Sequence, residues 1–201
     1  MPPPATTADG SDARSALVRV PELAVHIETG LRARARPERA AGEKAYLKSS
    51  LEHYGTSVPA VRAAVLEVIR PLRLGHDEVI ALAEALWATP VHEHRQAAVE
   101  VLEFHVDDLR AADIVVLERL LRESRTWALS DSLAASVVGS LVEREPSLVT
   151  TLDRWSTDED FWLRRAPGVR CHLPRSGQAV GRRPARCAAG CPLRSIPEAD
   201  A

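Results

Sequence analysis

The chain has 201 residues, of which 45% are hydrophobic and 27% charged, which is enough to bury the core of one ordinary soluble domain. Its formal net charge of −2 excludes a generally basic nucleic-acid-binding protein, so any attraction to DNA must come from one locally basic face. No apolar run approaches the roughly 20 residues that a membrane-spanning helix needs, and the start Met1-Pro2-Pro3-Pro4 is not that of a signal peptide.

The first part of the chain changes from a polar leader to helical spacing. Residues 1–15 are rich in Pro, Thr, Asp and Ser and are predicted to form a disordered leader. The apolar spacing at 17–27 predicts a first amphipathic helix with a break at Pro21. The alternating Arg-Ala run at 32–36 predicts a linker or a solvated helix end, and residues 43–53 are predicted to form the next helix.

Further helices are predicted in close succession along the middle of the chain. They begin at Ser57-Val58-Pro59 and after the turn at 75–77, run to about 106, and then cover 113–123, 133–142, 146–155 and a segment starting at 161. Ser130 or Asp131 is predicted to cap the helix over 133–142, and residues 156–159 form a capping-box pattern before the last helix.

No segment alternates with period two for long, so no β-sheet is expected. Short loops between similar helices predict an all-α fold, an α-solenoid of HEAT-like helix pairs over residues 16–166. A compact helical bundle is the alternative architecture.

After Ala166 the character of the chain changes. Pro and Gly interrupt residues 167–201, Arg is frequent, and apolar residues no longer recur at helical spacing, so an irregular tail is predicted. A functional basic tail, a zinc site and an end altered or truncated by a reading-frame slip are all open, and we favour the slip. The zinc-ligand types here are Cys171, His172, Cys187 and Cys191, whose spacing fits no familiar zinc pattern.

All three cysteines belong to this tail, so no disulfide framework holds the body of the chain. A reducing cytoplasm is therefore the expected compartment. No metal site is expected at His92, His94 and His105, because the first two are two residues apart and do not share a helix face.

Four segments carry a family pattern over about residues 40–166. They are Tyr46-Leu47-Lys48 with Gly55, Pro59 and Arg62; Leu86-Trp87 with Pro90, Glu93 and Ala97-Ala98; Arg125-Thr126-Trp127-Ala128-Leu129-Ser130-Asp131; and Phe161-Trp162-Leu163-Arg164-Arg165-Ala166. In this order they resemble the bacterial DNA alkylation repair glycosylase family (the AlkD-like proteins). The resemblance implies a solenoid that cradles duplex DNA. It also implies hydrolysis of the N-glycosidic bond of cationic N3- and N7-alkylated purines, without a metal or an organic cofactor.

The resemblance also implies roles for individual residues. Trp127 and Asp131 would be the catalytic pair, Arg165 would contact a phosphate, and Tyr46 and Lys48 would line the DNA-facing surface. The chemistry suits these types, because an alkylated cationic purine is already a good leaving group. A carboxylate and an indole face would then stabilise the oxocarbenium ion that forms on the sugar. In a helix, the i,i+4 spacing would put the pair on one face.

Each of these residues also has a purely structural interpretation. Asp131 can be a helix N-cap, Trp127 can line the core or a groove, Tyr46 can be ordinary packing, and Arg164 with Arg165 can be an exposed helix end.

The chain departs from the family pattern in two ways. Thr126 and Ala128 replace a Trp and an Asp of the family, and no counterpart of the family's further C-terminal repeats follows Ala166. We therefore expect impaired excision, with a non-catalytic helical-repeat scaffold for DNA or protein as the alternative function. We expect a monomer whose partner is alkylated double-stranded DNA, with no membrane partner.

Overall fold

The computed structural model describes residues 10–170, and within them the fold is all-α. The helices are α1 (Gly10–Ala33), α2 (Pro37–Tyr46), α3 (Val58–Ile69), α4 (His76–Ala88), α5 (His92–Phe104), α6 (Ile114–Arg122), α7 (Trp127–Ser132), α8 (Gly139–Arg144), α9 (Val149–Trp155) and α10 (Phe161–Arg170). A π-helical segment, Leu133–Val138, joins α7 to α8. An isolated bridge between Glu52 and Val91 is the β-type pairing found among these residues. The predicted all-α class is confirmed.

The two ends of this region differ from the boundaries that we predicted. Helix α1 begins at Gly10, inside the predicted leader, and α10 continues to Arg170, past the predicted limit at 166. Helix α1 also runs without a break through Pro21, whose exposed ring meets solvent instead of a packed neighbour. Residues 1–9 and 171–201 lie outside the described residues, and with them the tail and its candidate zinc ligands.

Helices pack against near neighbours along the chain, as expected for a helical-repeat solenoid. Helix α1 packs on α3 and α4, α5 packs on α3 and α4, and α10 packs on α6, α7 and α9. The buried face of α1 shows the pattern that drives this packing, with Val20, Leu23, Ile27 and Leu31 recurring every three or four residues. Within residues 10–170, every helix is too short or too polar to traverse a bilayer.

Polar side chains tie successive helix pairs together at a nearly constant sequence separation. These inter-repeat ties include Arg62 to Glu100 (38 positions, 2.6 Å), Trp87 to Glu123 (36 positions, 3.1 Å), Trp155 to Glu118 (37 positions, 2.9 Å) and Arg122 to Asp158 (36 positions, 2.8 Å). The spacing is close to the roughly 40 residues of a HEAT-like repeat. The repeat is therefore regular in three dimensions although the sequence repeat is weak.

The helix predicted over residues 43–53 is wrong in its extent. Helix α2 ends at Tyr46, because Lys48 takes a left-handed φ of 47°. The N–H of Ser49 donates to the carbonyl of Lys44 at 3.0 Å, which is the closing bond of a Schellman motif. That position usually holds glycine, so the sequence carries no stop signal here.

The capping box predicted at residues 156–159 is also displaced. Helix α10 is capped by Asp160, whose Oδ1 accepts from the N–H groups of Trp162 (2.9 Å) and Leu163 (3.0 Å). A carboxylate in this position also suits the positive end of the helix dipole.

His76 links the start of α4 to the next repeat. Its Nε2 lies 2.8 Å from Asp113 Oδ2, and its Nδ1 lies 2.8 Å from Asp77 Oδ1. The hydrogen bond with Asp113, reinforced by that with Asp77, raises the pKa of His76 above its usual 6.5. Protonated His76 is thus favoured in the folded state.

This contact predicts a specific pH dependence of stability. Because the folded pKa is raised, the contribution of His76 is fully present below about pH 6.5 and is lost as the pH rises through the raised value. His76→Gln should remove this decline with pH and lower the free energy of unfolding by about 1.5 kcal/mol at about pH 5.5. Urea unfolding at about pH 5.5 and about pH 8.5 measures the free energy of unfolding at each pH and so its decline between them. The exposed His26→Gln is the control and should keep the wild-type slope.

Candidate functional site

Thr126 begins helix α7 and orients the two residues of the predicted catalytic pair. Its buried side chain accepts a hydrogen bond from the N–H of Leu129 at 3.4 Å. The N-cap predicted at Ser130 or Asp131 is therefore wrong, because the helix is already formed when the chain reaches them. Trp127 and Asp131 lie one helical turn apart and project from one face.

The helix widens immediately after this pair. The π-helical segment Leu133–Val138 continues α7 without a break, and its residues Ala135 and Ser136 line the same cavity as Asp131. Such wide turns are rare in proteins and are frequent at functional sites.

A cavity of about 430 Å³ opens beside α7. Its wall combines two aromatic rings with acidic and polar side chains: Tyr46, Trp127, Glu43, Asp131, His92 and Gln96. The rings of Tyr46 and Trp127 meet edge to face, with centroids 5.8 Å apart and planes at 81°. Tyr46 is 73% exposed and Trp127 40%, so neither ring is explained by core packing.

Backbone strain is concentrated next to these two rings. Among the described non-glycine residues, left-handed φ angles occur at Lys48 (47°) and Arg125 (56°). Lys48 comes two residues after Tyr46, and Arg125 two residues before Trp127. Each such angle costs about 1–2 kcal/mol, and strain of this kind often marks ligand sites.

Arg165 of α10 binds the carboxylate of Asp131 with a two-pronged ion pair. Its Nε donates to Oδ1 at 2.6 Å and its Nη2 donates to Oδ2 at 2.7 Å. The hydrogen bond with Asp131 raises the pKa of Arg165. Ser130 Oγ adds a bond of 3.3 Å to Oδ1. This geometry uses two of the three guanidinium nitrogens and leaves Nη1 for another acceptor.

The predicted site residues therefore come together with one exception. Tyr46, Trp127 and Asp131 line the cavity, and Arg165 reaches it through Asp131. Lys48 is exposed and does not line the cavity, although it follows Tyr46 closely in the chain.

Five polar lining residues were not predicted from the sequence. They are Glu43, His92, Gln96, Ser132 and Ser136. A signal was present for His92 and Gln96, because they are four residues apart and share one face in the polar first turns of α5.

Glu93 holds the backbone segment that joins α2 to α3, between the cavity-lining residues Leu47 and Val58. Its buried carboxylate accepts from the N–H groups of Tyr54 (3.0 Å), Gly55 (2.6 Å) and Thr56 (3.1 Å). Gly55 has a φ of 78°, and a Cβ there would come within 2.2 Å of the carbonyl oxygen of Arg36. Only glycine fits this position, which explains its place in the sequence pattern.

Two neutral imidazoles stack behind this wall. The rings of His53 and His92 lie 4.6 Å apart with planes at 8°. Burial lowers the pKa of His92 to about 3 and also lowers the pKa of His53. Among the described residues, the set that can hold a metal ion is Glu43, His53 and Glu93, whose ligand atoms lie within 4.8 Å of one another.

The comparison with protein families gives one match. A family model described as DNA alkylation repair enzyme matches residues 27–176, which is most of the chain and includes every residue of the cavity. A search of curated proteins finds no significant match.

The role of Glu93 predicts a large effect of a small change. Glu93→Gln keeps the size of the side chain but removes the negative charge that strengthens the three bonds to Oε1, and its N–H₂ group would stand at Oε2, where it faces the N–H of Tyr54. We expect a loss of about 2–4 kcal/mol in the free energy of unfolding, measured with urea. Glu67→Gln is the matched control, because Glu67 is 62% exposed in its pair with Arg34 and should cost under about 1 kcal/mol.

Proposed function

The chain belongs to the DNA alkylation repair enzyme family, and we propose that it hydrolyses the N-glycosidic bond of cationic N3- and N7-alkylated purines in duplex DNA. The observation that carries the proposal is the placement of a carboxylate and an indole on one helix face beside a solvent-open cavity. Asp131 and Trp127 supply them.

The proposed chemistry needs no proton for the departing base. An alkylated purine carries a positive charge and leaves as a neutral base, while positive charge develops on the deoxyribose. The Asp131 carboxylate stabilises that charge and orients the attacking water. The indole face of Trp127 adds a cation–π attraction of about 0.5–2 kcal/mol, and the edge contact with Tyr46 holds the indole in place.

The charges of the cavity support a cationic substrate over a neutral one. Glu43 and Asp131 give the wall an acidic character that attracts a positive base and sugar. A neutral purine would need an acid to protonate it as it leaves. His92 cannot serve near neutral pH, because burial lowers its pKa to about 3.

Contacts with the DNA backbone are assigned to Arg165 and Lys48 in this proposal. Arg165 can offer Nη1 to a phosphate while one of its other two nitrogens still holds Asp131. Lys48 is exposed beside Tyr46, where its ammonium group can reach a phosphate as a point charge.

One observation favours the alternative of a non-catalytic scaffold. Both carboxylate oxygens of Asp131 are bound to Arg165, so the carboxylate is shielded in this structure. In the catalytic proposal, Arg165 must release at least one oxygen when the nucleotide enters. A scaffold would keep the ion pair and show no excision.

Asp131→Asn separates the two functions. It removes the negative charge but keeps the shape, so release of 7-methylguanine from methylated duplex DNA should fall at least about 100-fold. The affinity for the same duplex should change less than about threefold, as measured by fluorescence anisotropy. Asp153→Asn, an exposed substitution on α9, is the control and should excise like the wild type. No release above spontaneous depurination by the wild-type chain would contradict the catalytic proposal.

The phosphate contacts predict a change in salt dependence. Lys48→Gln should weaken binding to any duplex. It should also reduce the steepness of log affinity against log salt by about 0.9, the contribution of one phosphate contact. Anisotropy titrations at several salt concentrations measure the slope. Arg154→Gln is the control, because the Arg154 side chain is exposed but is already paired with Glu118 at 2.7 Å. Equal slopes for Lys48→Gln and wild type would remove Lys48 from the interface.

A further inference from the structure

We propose that Glu43, His53 and Glu93 form a zinc-binding site directly behind the wall of the cavity, which Glu43 lines, separate from Asp131 and Trp127. The three residues come from α2, from the segment that joins α2 to α3, and from α5. One ligand atom from each lies within 4.8 Å of the other two. Histidine nitrogen and carboxylate oxygen are both ordinary zinc ligands.

The cluster contains polar atoms that have no hydrogen-bond partner among the described residues. Glu43 Oε2 and both ring nitrogens of His53 are shielded from solvent, and none has a hydrogen-bond partner among the described residues. The neighbouring His92 is 5% exposed, and its Nδ1 is also shielded and without a hydrogen-bond partner among the described residues. Leaving such groups unpaired is costly, because each has lost its hydrogen bonds to water without replacement. A coordinated ion would satisfy an oxygen of Glu43 and a nitrogen of His53 together.

The charges in the cluster also call for a divalent cation. Two carboxylates approach each other here. Among the described residues, the ion pair of Glu43 is the one with Arg39, whose Nη2 lies 3.4 Å from Oε1. Both ring nitrogens of His53 lack a hydrogen-bond partner among the described residues, so either can coordinate an ion directly. Zn²⁺ offsets both negative charges without requiring a charged histidine.

The geometry suits three protein ligands and an open fourth position. Ligands of one tetrahedral zinc ion lie about 3.5 Å apart, so a side-chain movement of about 1 Å closes the cluster around it. Glu43 can make this movement because its side chain is 17% exposed and stands at the cavity wall. The stack with His92 keeps the His53 ring in plane.

The bound ion would brace the wall that carries Tyr46. It would join the end of α2 to the backbone segment that Glu93 already holds and to α5. This role concerns stability and positioning, and it does not rest on the proposed excision activity.

The test is a calorimetric titration of Zn²⁺ into the chelator-treated full chain. Because Cys171, Cys187 and Cys191 are also possible ligands, the titration is repeated with all three replaced by serine. We expect the serine variant to retain one zinc site per chain. Glu43→Gln and His53→Gln in that background should each weaken the affinity at least about 10-fold. Zn²⁺ should also raise the Tm of the serine variant, but not after the addition of His53→Gln.

The matched control is His105→Gln in the same background. His105 also has a shielded, unpartnered ring nitrogen, but it lies outside the cluster, so its substitution should leave zinc affinity unchanged. Loss of all binding in the serine variant would overturn the proposal, and so would wild-type affinity in both Glu43→Gln and His53→Gln. Circular dichroism confirms that each variant is folded.

Discussion

Three consecutive backbone N–H groups at residues 54–56 point inward, where they would be costly to leave unpaired. The carboxylate of Glu93 accepts from all three, and the rest of the cavity depends on this interaction. It holds the segment after Tyr46 against α5 and places His53 over His92. A side chain from one repeat thus determines the backbone of the previous one. The packing of α5 therefore helps to fix the position of the exposed Tyr46 ring.

The local pattern of apolar residues was enough to predict the all-α fold and most of the helices, because burial of one helix face is a short-range property of the sequence. Local signals failed where two candidates competed or where no signal existed. Thr126 caps α7, although Ser130 and Asp131 are equally good capping types four and five residues later. Lys48 ends α2 in a conformation that usually needs glycine. The partner of Asp131 lies 34 positions away, beyond any local pattern.

The candidate site pairs the negative charge of Asp131 with the positive charge of Arg165. Arg165 neutralises Asp131 in this structure, and the same guanidinium has a third nitrogen that the ion pair does not use. The buried histidines contribute no charge near neutral pH. The charge at the cavity is therefore set by the acidic side chains of Glu43 and Asp131 and by the guanidinium of Arg165, and an entering polyanion would compete with Asp131 for that guanidinium.

The inter-repeat ties have a mechanical consequence. Each tie joins one helix pair to the next, and the pairs contact mainly their neighbours, so a load applied along the solenoid would be carried by the interfaces in series. The elastic limit of such a chain is that of its weakest interface and not the sum of all of them. Under such a load one junction would yield first, while the remaining junctions keep their shape.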